Sequence, residues 1–256
     1  MAWRMNDINI GLCGANGKMG QAISQRINEA YTQFKISFTF TRKNAITELN
    51  DLCKNSQLVI DFSSIEILEE LLKYSLIHKN KLVIGTTGLS DNHFKLLTKA
   101  SKDIAILYSP NMSLGANLIT ILAAEAAKIL KILGEDYDVE ILDSHHRFKK
   151  DAPSGTAIML GQSIAAARNV EFDKCAVFDR SATNRQKLSD EIGFASIRGG
   201  SIYGEHEVFF AGDNEVITIK HQALNRKSFA DGVLKAANWL LSKESGLYSM
   251  MDLLNF

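Results

Sequence analysis

The chain has 256 residues, 46% of them hydrophobic and 23% charged, which leaves ample material for two packed domains and argues against a disordered or fibrous protein. Lys and Arg together number 29, as do Asp and Glu, so no net field draws the protein to nucleic acid or to an anionic membrane. Cys13, Cys53 and Cys175 are scattered and odd in number, which argues against a disulfide framework or a zinc site and suits a reducing, cytoplasmic compartment. Met1–Asp7 holds no apolar run of the kind a secretory signal carries. The longest apolar stretch, 118–132, is interrupted by Glu125, Lys128 and Lys131, so no membrane span is expected.

Ile8 to Cys13 reads as a short buried strand. Gly14-Ala15-Asn16-Gly17-Lys18-Met19-Gly20 follows at once, and then a helical pattern through Ile23 and Ile27. Strand, glycine turn and helix together begin a dinucleotide-binding βαβ unit. Gly14 would allow the tight turn, Gly17 the approach of backbone to a pyrophosphate, and Gly20 the close packing of helix and strand. The spacing is G-x-x-G-x-x-G, a departure from G-x-G-x-x-G, and the competing reading is a glycine-rich turn that binds nothing.

Lys35 to Phe40 alternates Ile36, Phe38 and Phe40 as a second strand, whose end, Thr41-Arg42-Lys43, is where an adenosine ribose is met. An acidic residue there would accept from a free 2′-hydroxyl, whereas a basic pair suits a 2′-phosphate; two solvated cations are the alternative. A short crossover leads to a strand at 58–60 that ends in Asp61-Phe62-Ser63-Ser64, with Ser64 placed to cap a helix over 65–78. A strand at 82–84 ends in Gly85-Thr86-Thr87-Gly88, a helix spans 91–102, and a strand at 104–108 ends in Ser109-Pro110-Asn111-Met112-Ser113. Such alternation predicts an α/β domain with a parallel sheet covered on both faces, and ligands in such sheets bind at the carboxyl ends of the strands. Four motif-like segments fall at those ends.

A long helix from Leu114 to about Leu133 opens a second domain of α+β character, beginning near Ser113. The apolar Val139, Ile141 and Leu142 mark a strand that runs into His145, His146, Arg147, Lys149 and Lys150, and then into Pro153-Ser154-Gly155-Thr156 ahead of a helix to about Arg168. A strand feeding a cationic loop that feeds a helix N-terminus is an anion trap, because free amides and the positive end of the helix dipole both favour a carboxylate or phosphate. Either His145 or His146 can move a proton near neutral pH. The bland reading is a solvated basic turn before a capped helix. Further on, 194–198 reads as a strand, 205–211 and 215–222 as a hairpin about Gly212-Asp213-Asn214, and 229–241 as a last helix capped by Ser228.

These motifs occur in an order that resembles one family, 4-hydroxy-tetrahydrodipicolinate reductase, also called dihydrodipicolinate reductase, of bacterial diaminopimelate and lysine biosynthesis. The most specific segment is H-H-R-x-K-x-D-A-P-S-G-T at His145 to Thr156; Arg198-Gly199-Gly200 and Gly204-Glu205-His206 support it, and the resemblance covers nearly the whole chain. It implies a Rossmann-like dinucleotide-binding domain at 1–112 to which 223–256 returns. It further implies a mixed-sheet substrate-binding and tetramerisation domain at 113–222. His145 would be the general acid/base and Lys149 the second proton donor, while His146, Gly155 and Thr156 would hold the carboxylates of a small cyclic imine. Gly14, Ala15, Asn16, Gly17, Lys18, Met19, Arg42, Gly85, Thr86, Thr87, Ser109, Pro110, Asn111 and Met112 would line NADPH or NADH. Thr41 departs from the acidic residue of many members, and the crossover before Asp61 is short. No metal is implied, and adjacent His145 and His146 would point to opposite sides of an extended chain, a poor arrangement for one ion.

Two rival readings differ in what they need. An acylating semialdehyde dehydrogenase requires a reactive cysteine in the second domain, for which Cys175 is the sole candidate. A dinucleotide-sensing module would not need His145 and Lys149 beside an anion-binding turn.

Overall fold

The structure, a computed structural model, describes residues 8–134, 137–181, 185–188 and 190–255; the expectation for Met1–Asp7 lies outside them. Two units are distinct, one formed by the described residues up to Leu114 together with those from Arg226 on, the other by Gly115–Asn225.

In the first unit β1 (Ile8–Cys13), β2 (Phe34–Phe40), β3 (Leu58–Asp61), β4 (Lys81–Ile84), β5 (Ala105–Tyr108) and β11 (Gly246–Tyr248) make a parallel sheet in the order β11-β5-β4-β3-β1-β2. The two-residue period of these strands divides their apolar side chains between two cores. Ile10, Leu12, Leu58, Ile60, Val83 and Leu107 pack with Ile23 and Ile27 of α1 (Lys18–Ala30) and with Val233, Leu234, Ala237 and Leu240 of α8 (Lys227–Leu240). On the other face Val59, Leu82, Ile84 and Ile106 meet α2 (Leu49–Lys54), α3 (Leu68–His78) and α4 (Asp91–Ala100). Each such side chain, fully buried, contributes ~1.5–3 kcal/mol of transfer free energy.

The short crossover before Asp61 holds a 3-10 turn at Ile46–Glu48 and α2, with Leu49, Leu52 and Cys53 buried. Two local expectations are corrected. Ser64 makes no side-chain cap, and a 3-10 turn at Ile65–Ile67 precedes α3. At α8 the N-cap is Arg226, so Ser228 lies inside the first turn.

The returning helix is fitted to the first unit at two places, one along its length and one at its C-terminus. A Cβ on Gly232 would sit 1.8 Å from the Met112 carbonyl oxygen, so only glycine lets α8 lie on that loop. At its C-terminus Lys81 Nζ donates to the carbonyls of Leu240 at 3.1 Å and Leu241 at 2.9 Å, and also to that of Lys243. These are carbonyls that a helix end leaves without intrahelical donors. Lys81→Met is expected to cost ~1.5–3 kcal/mol, the worth of a hydrogen bond to a charged group, and to lower Tm by several degrees. An unchanged melting curve would mean that water serves those carbonyls equally well.

In the second unit β6 (Asp138–His145), β7 (Ala176–Val177), β8 (Ile192–Arg198), β9 (Glu205–Ala211) and β10 (Val216–Gln222) form a mixed sheet ordered β10-β9-β6-β8-β7. β9 is antiparallel to β6 and β10, and β8 is parallel to β6 and β7. One face carries Val139, Ile141, Ile192, Phe194, Val208 and Phe210 under α5 (Leu114–Ile132) and α6 (Gly155–Ala167). The short α7 (Phe172–Cys175) and α9 (Met250–Leu253) complete the described elements. No helix among the described residues is long and apolar enough to cross a membrane.

Candidate active site

Strand order in the first unit places a topological switch between β1 and β3, since the chain leaves β1 for β2 on one side and returns to β3 on the other. Ligands of open α/β sheets bind at such a point, outside the carboxyl ends of the strands. A cavity of about 540 Å³ lies there, lined by Gly14, Asn16 and Gly17 after β1, by 40–43 after β2 and by Phe62, Ser63, Ser64 and Ile67 after β3.

The turn at 14–20 needs its glycines. Gly14 has φ +78°, and a Cβ on it would lie 2.2 Å from the Phe62 carbonyl oxygen. Gly20 would place a Cβ 2.3 Å from the Gly14 carbonyl oxygen, so its close approach is to the turn and not to the strand. Gly17 is the N-cap of α1, with no side-chain cap and no acidic residue in the first turn. Backbone amides and the helix dipole therefore face this cavity without a competing carboxylate, which fits a dinucleotide's phosphates.

The neighbouring loops are built around Asp61, fully buried. Its Oδ2 accepts from Thr86 Oγ1 at 2.7 Å, and its Oδ1 from the Ser63 amide at 3.1 Å and the Ser63 hydroxyl. Burial pushes its carboxyl up, against the lowering by the Ser63 and Thr86 bonds. The Thr86 hydroxyl is thus committed to the fold, and a ligand can meet Thr86 only elsewhere. Gly85 leaves room for the Phe62 ring, which a Cβ would meet at 2.3 Å. Ser109 donates to the Asn111 carbonyl at 2.8 Å, while the Met112 side chain is buried in the core against α8. After β2, Arg42 and Lys43 are exposed, and Thr41 is locked by Asn44 Oδ1, which accepts from its amide at 2.8 Å and its hydroxyl at 2.9 Å. All the residues expected around a cofactor therefore lie on one rim, though Met112 and Thr86 turn their side chains into the protein.

The second set of expected residues surrounds the end of β6. Val139, Ile141, Asp143 and His145 share one face of that strand, which changes from apolar to polar at Asp143. The register sets Ser196 and His206 beside Asp143, Arg198 beside His145 and His221 beside His206. His145 Nδ1 is 2.8 Å from Asp143 Oδ2, and its ring meets that of His206 edge-on at 5.2 Å. Asp143 is fully buried; burial opposes its ionisation, but bonds from His145, Ser196 and Arg198 outweigh it and hold the carboxyl well below the usual range. His206, also buried, is pushed down to about 3 by burial first and by His145 next, so it stays neutral.

His146 lies past the strand end, its buried Nδ1 without a protein partner. Lys149 donates its amide to the His146 carbonyl at 3.1 Å and pairs through Nζ with Asp151 at 2.8 Å. Ser154 caps α6, its hydroxyl accepting from the Ala157 amide at 3.2 Å and sharing a 3.1 Å bond with His206 Nε2. Gly155 and Thr156 follow as the first residues of α6, whose first turn holds no acidic residue. His145, His146, Lys149, Gly155 and Thr156 are therefore gathered at one place, an arrangement able to hold an anion beside a proton-carrying group. Asp143 and Ser196 were not singled out from the sequence, and His206 entered only within the Gly204-Glu205-His206 segment, with no role attached; the two-residue spacing of Asp143 and His145 on a strand was the available signal. Cys175 is buried, its thiol pushed up mainly by burial, which suits a packed side chain and not a nucleophile.

Comparison with known proteins covers both units. Residues 8–112 match the family model "Dihydrodipicolinate reductase, N-terminus", and residues 115–254 match "Dihydrodipicolinate reductase, C-terminus". The 4-hydroxy-tetrahydrodipicolinate reductase of Rickettsia bellii is 55% identical over 96% of this chain and 94% of its own, and that of Campylobacter jejuni 42% over 96% and 99%. A dipicolinate-bound dihydrodipicolinate reductase from Paenisporosarcina sp. TG-14 shares the fold with a TM-score of 0.73 at 22% identity, over 96% of this chain and 98% of that one. With both halves matched and relatives this similar along almost the full length, the chain belongs to the dihydrodipicolinate reductase family, the nicotinamide-dependent 4-hydroxy-tetrahydrodipicolinate reductases of diaminopimelate and lysine biosynthesis.

Proposed function

We propose that His145 is the general acid/base of this reductase and Lys149 its second proton donor, with His146, Gly155 and Thr156 holding the substrate's carboxylates. The observation that carries this reading is His145 at the polar end of the β6 face, with Nδ1 on a buried carboxylate and the N-terminus of α6 beside it. A ring dicarboxylate is a dianion that a net-neutral protein must meet with local positive charge, and the loop at 145–150 concentrates it. Reduction of the conjugated imine adds one hydride and one proton. Nicotinamide, when bound, supplies the hydride. His145 holds the proton for the electron-rich ring that results, and Lys149 offsets negative charge developing on the ring or its carboxylate. The first unit is the cofactor-binding part, through Gly14–Met19, Arg42, Gly85–Thr87 and Ser109–Met112, and the second binds substrate. The deciding assay follows NADPH oxidation with the product of a dihydrodipicolinate synthase reaction as substrate; absence of turnover with both NADPH and NADH would remove the reading.

NADPH is used at least as well as NADH. Thr41 brings no charge to repel a 2′-phosphate, and exposed Arg42 and Lys43 border the cavity after β2. A charged hydrogen bond at this open rim is worth ~1.5 kcal/mol, so Arg42→Ala should raise the KM for NADPH by ~10-fold and leave NADH nearly untouched. Equal losses in paired titrations would show that Arg42 supports the loop instead of reading the phosphate.

The protein works as a cytoplasmic homotetramer. The second sheet's face away from α5 and α6 carries Ile197, 49% exposed, and Val216, 58% exposed, with β10 an open edge. Exposed apolar strands at a sheet edge call for cover. Light scattering at micromolar concentration should give the mass of four chains, and a monomer would contradict this.

A further inference from the structure

We propose that Asp143 is a positioning residue for His145: its ionised carboxylate holds the imidazole as the Nδ1–H tautomer and leaves Nε2 to handle the proton. The inference rests on the reading of His145 as general acid/base. An ionised carboxylate is acceptor-only, so a ring nitrogen 2.8 Å from Asp143 Oδ2 must carry a hydrogen. The opposite tautomer would set the Nδ1 lone pair against a buried anion. Asp143 has no freedom to change its own state. Its Oδ2 also receives Arg198 Nη1 at 2.9 Å, its Oδ1 receives the Ser196 hydroxyl, and the Ser154 amide lies 3.4 Å from Oδ1.

The register explains why these groups converge. Ser196 is the cross-strand partner of Asp143, and Arg198 that of His145, so all four side chains stand on one face of two parallel strands. Arg198 does more than fix the carboxylate. Its charge offsets that of Asp143, so that a dianionic substrate is not repelled. Its Nη2 donates to the Asp151 carbonyl at 2.7 Å, and the Asp151 side chain holds Lys149. The carboxylate that orients His145 is thereby tied to the segment that carries the other proposed proton donor. At the far side of the ring, Gly204 leaves space at Nε2, where a Cβ would come within 3.2 Å.

The test begins on the wild-type protein. With ¹⁵N-histidine labelling, and the His145 signals identified by their loss in His145→Ala, the ring is expected to show a protonated Nδ1 at the pH of the assay. A ring protonated at Nε2 alone overturns the proposal without any variant at position 143. Asp143→Asn should then lower kcat by ~10²-fold or more, in keeping with the loss when an orienting carboxylate is made an amide in a serine protease triad. Cofactor KM should stay unchanged and the His145 signals should lose their single tautomer. Asp143→Glu, which keeps the charge and the acceptor, should recover part of kcat. Full turnover in Asp143→Asn with an inactive His145→Ala sinks this inference alone, whereas full turnover in His145→Ala sinks the reading beneath it.

Discussion

Replacing His145 by alanine is expected to lower kcat by ~10²–10⁴-fold, the range a positioned general acid contributes, while the KM for NADPH stays close to wild type. The split follows from where the groups lie. His145 ends β6 in the second unit, whereas the residues around the cavity at the ends of β1, β2 and β3 belong to the first. The fold should survive, because the side chain is only partly buried and its removal leaves Asp143 still bonded to Arg198 and Ser196. Steady-state titrations of both substrates, with a melting curve to show an intact fold, measure this directly. Turnover near wild type would remove His145 from the chemistry and pass the role to His146 or to water.

Lys149→Ala should lower kcat by ~10²-fold and, unlike the change at His145, also weaken the substrate. An ammonium bonded to a carboxylate is worth ~1.5–3 kcal/mol, so the substrate KM should rise about 10- to 100-fold. Asp151, which holds Lys149 Nζ at 2.8 Å, is half exposed, so the amine can exchange it for the substrate's carboxylate at little cost. Lys149→Arg keeps the charge without the compact amine and should restore KM more than kcat. A loss confined to KM would make Lys149 a binding residue only.

What the sequence disclosed, and what it withheld, follows from how local the signals are. The strand, turn and helix over 8–30 announce themselves because glycine chemistry and apolar spacing act within a few residues of one another. The helix α2 escapes such reading: it has six residues, and its place is set by Leu52 lying where a Cβ on Gly11 would otherwise be, 2.6 Å away. β11, three residues long, exists only as a partner for β5. Ser64 and Ser228 have the right chemistry for caps, but helix starts shift by a turn or less when tertiary packing takes over. At the candidate site His145 and Lys149 stand out as an imidazole and an ammonium beside a helix N-terminus suited to an anion. Asp143 does not, because a carboxylate in an alternating strand looks solvent-facing until the pairing of β6 with β8 and β9 shows that Ser196 and His206 enclose it.

The return of α8 to the first sheet bears on how the chain is made. Synthesis runs from the N-terminus, so residues up to 114 emerge while the helix that covers Ile10, Leu12, Ile60, Val83 and Leu107 has not yet been translated. Until α8 arrives, that face of the nascent sheet stays wet and adhesive, and the Lys81 ammonium has none of the carbonyls it finally holds. The intervening 115–225 segment, by contrast, is continuous and can collapse as soon as it leaves the ribosome. The order of assembly is therefore the reverse of the order of translation, and a chain stalled before residue 226 would be a client for holdases, with its second unit folded and its first unit waiting.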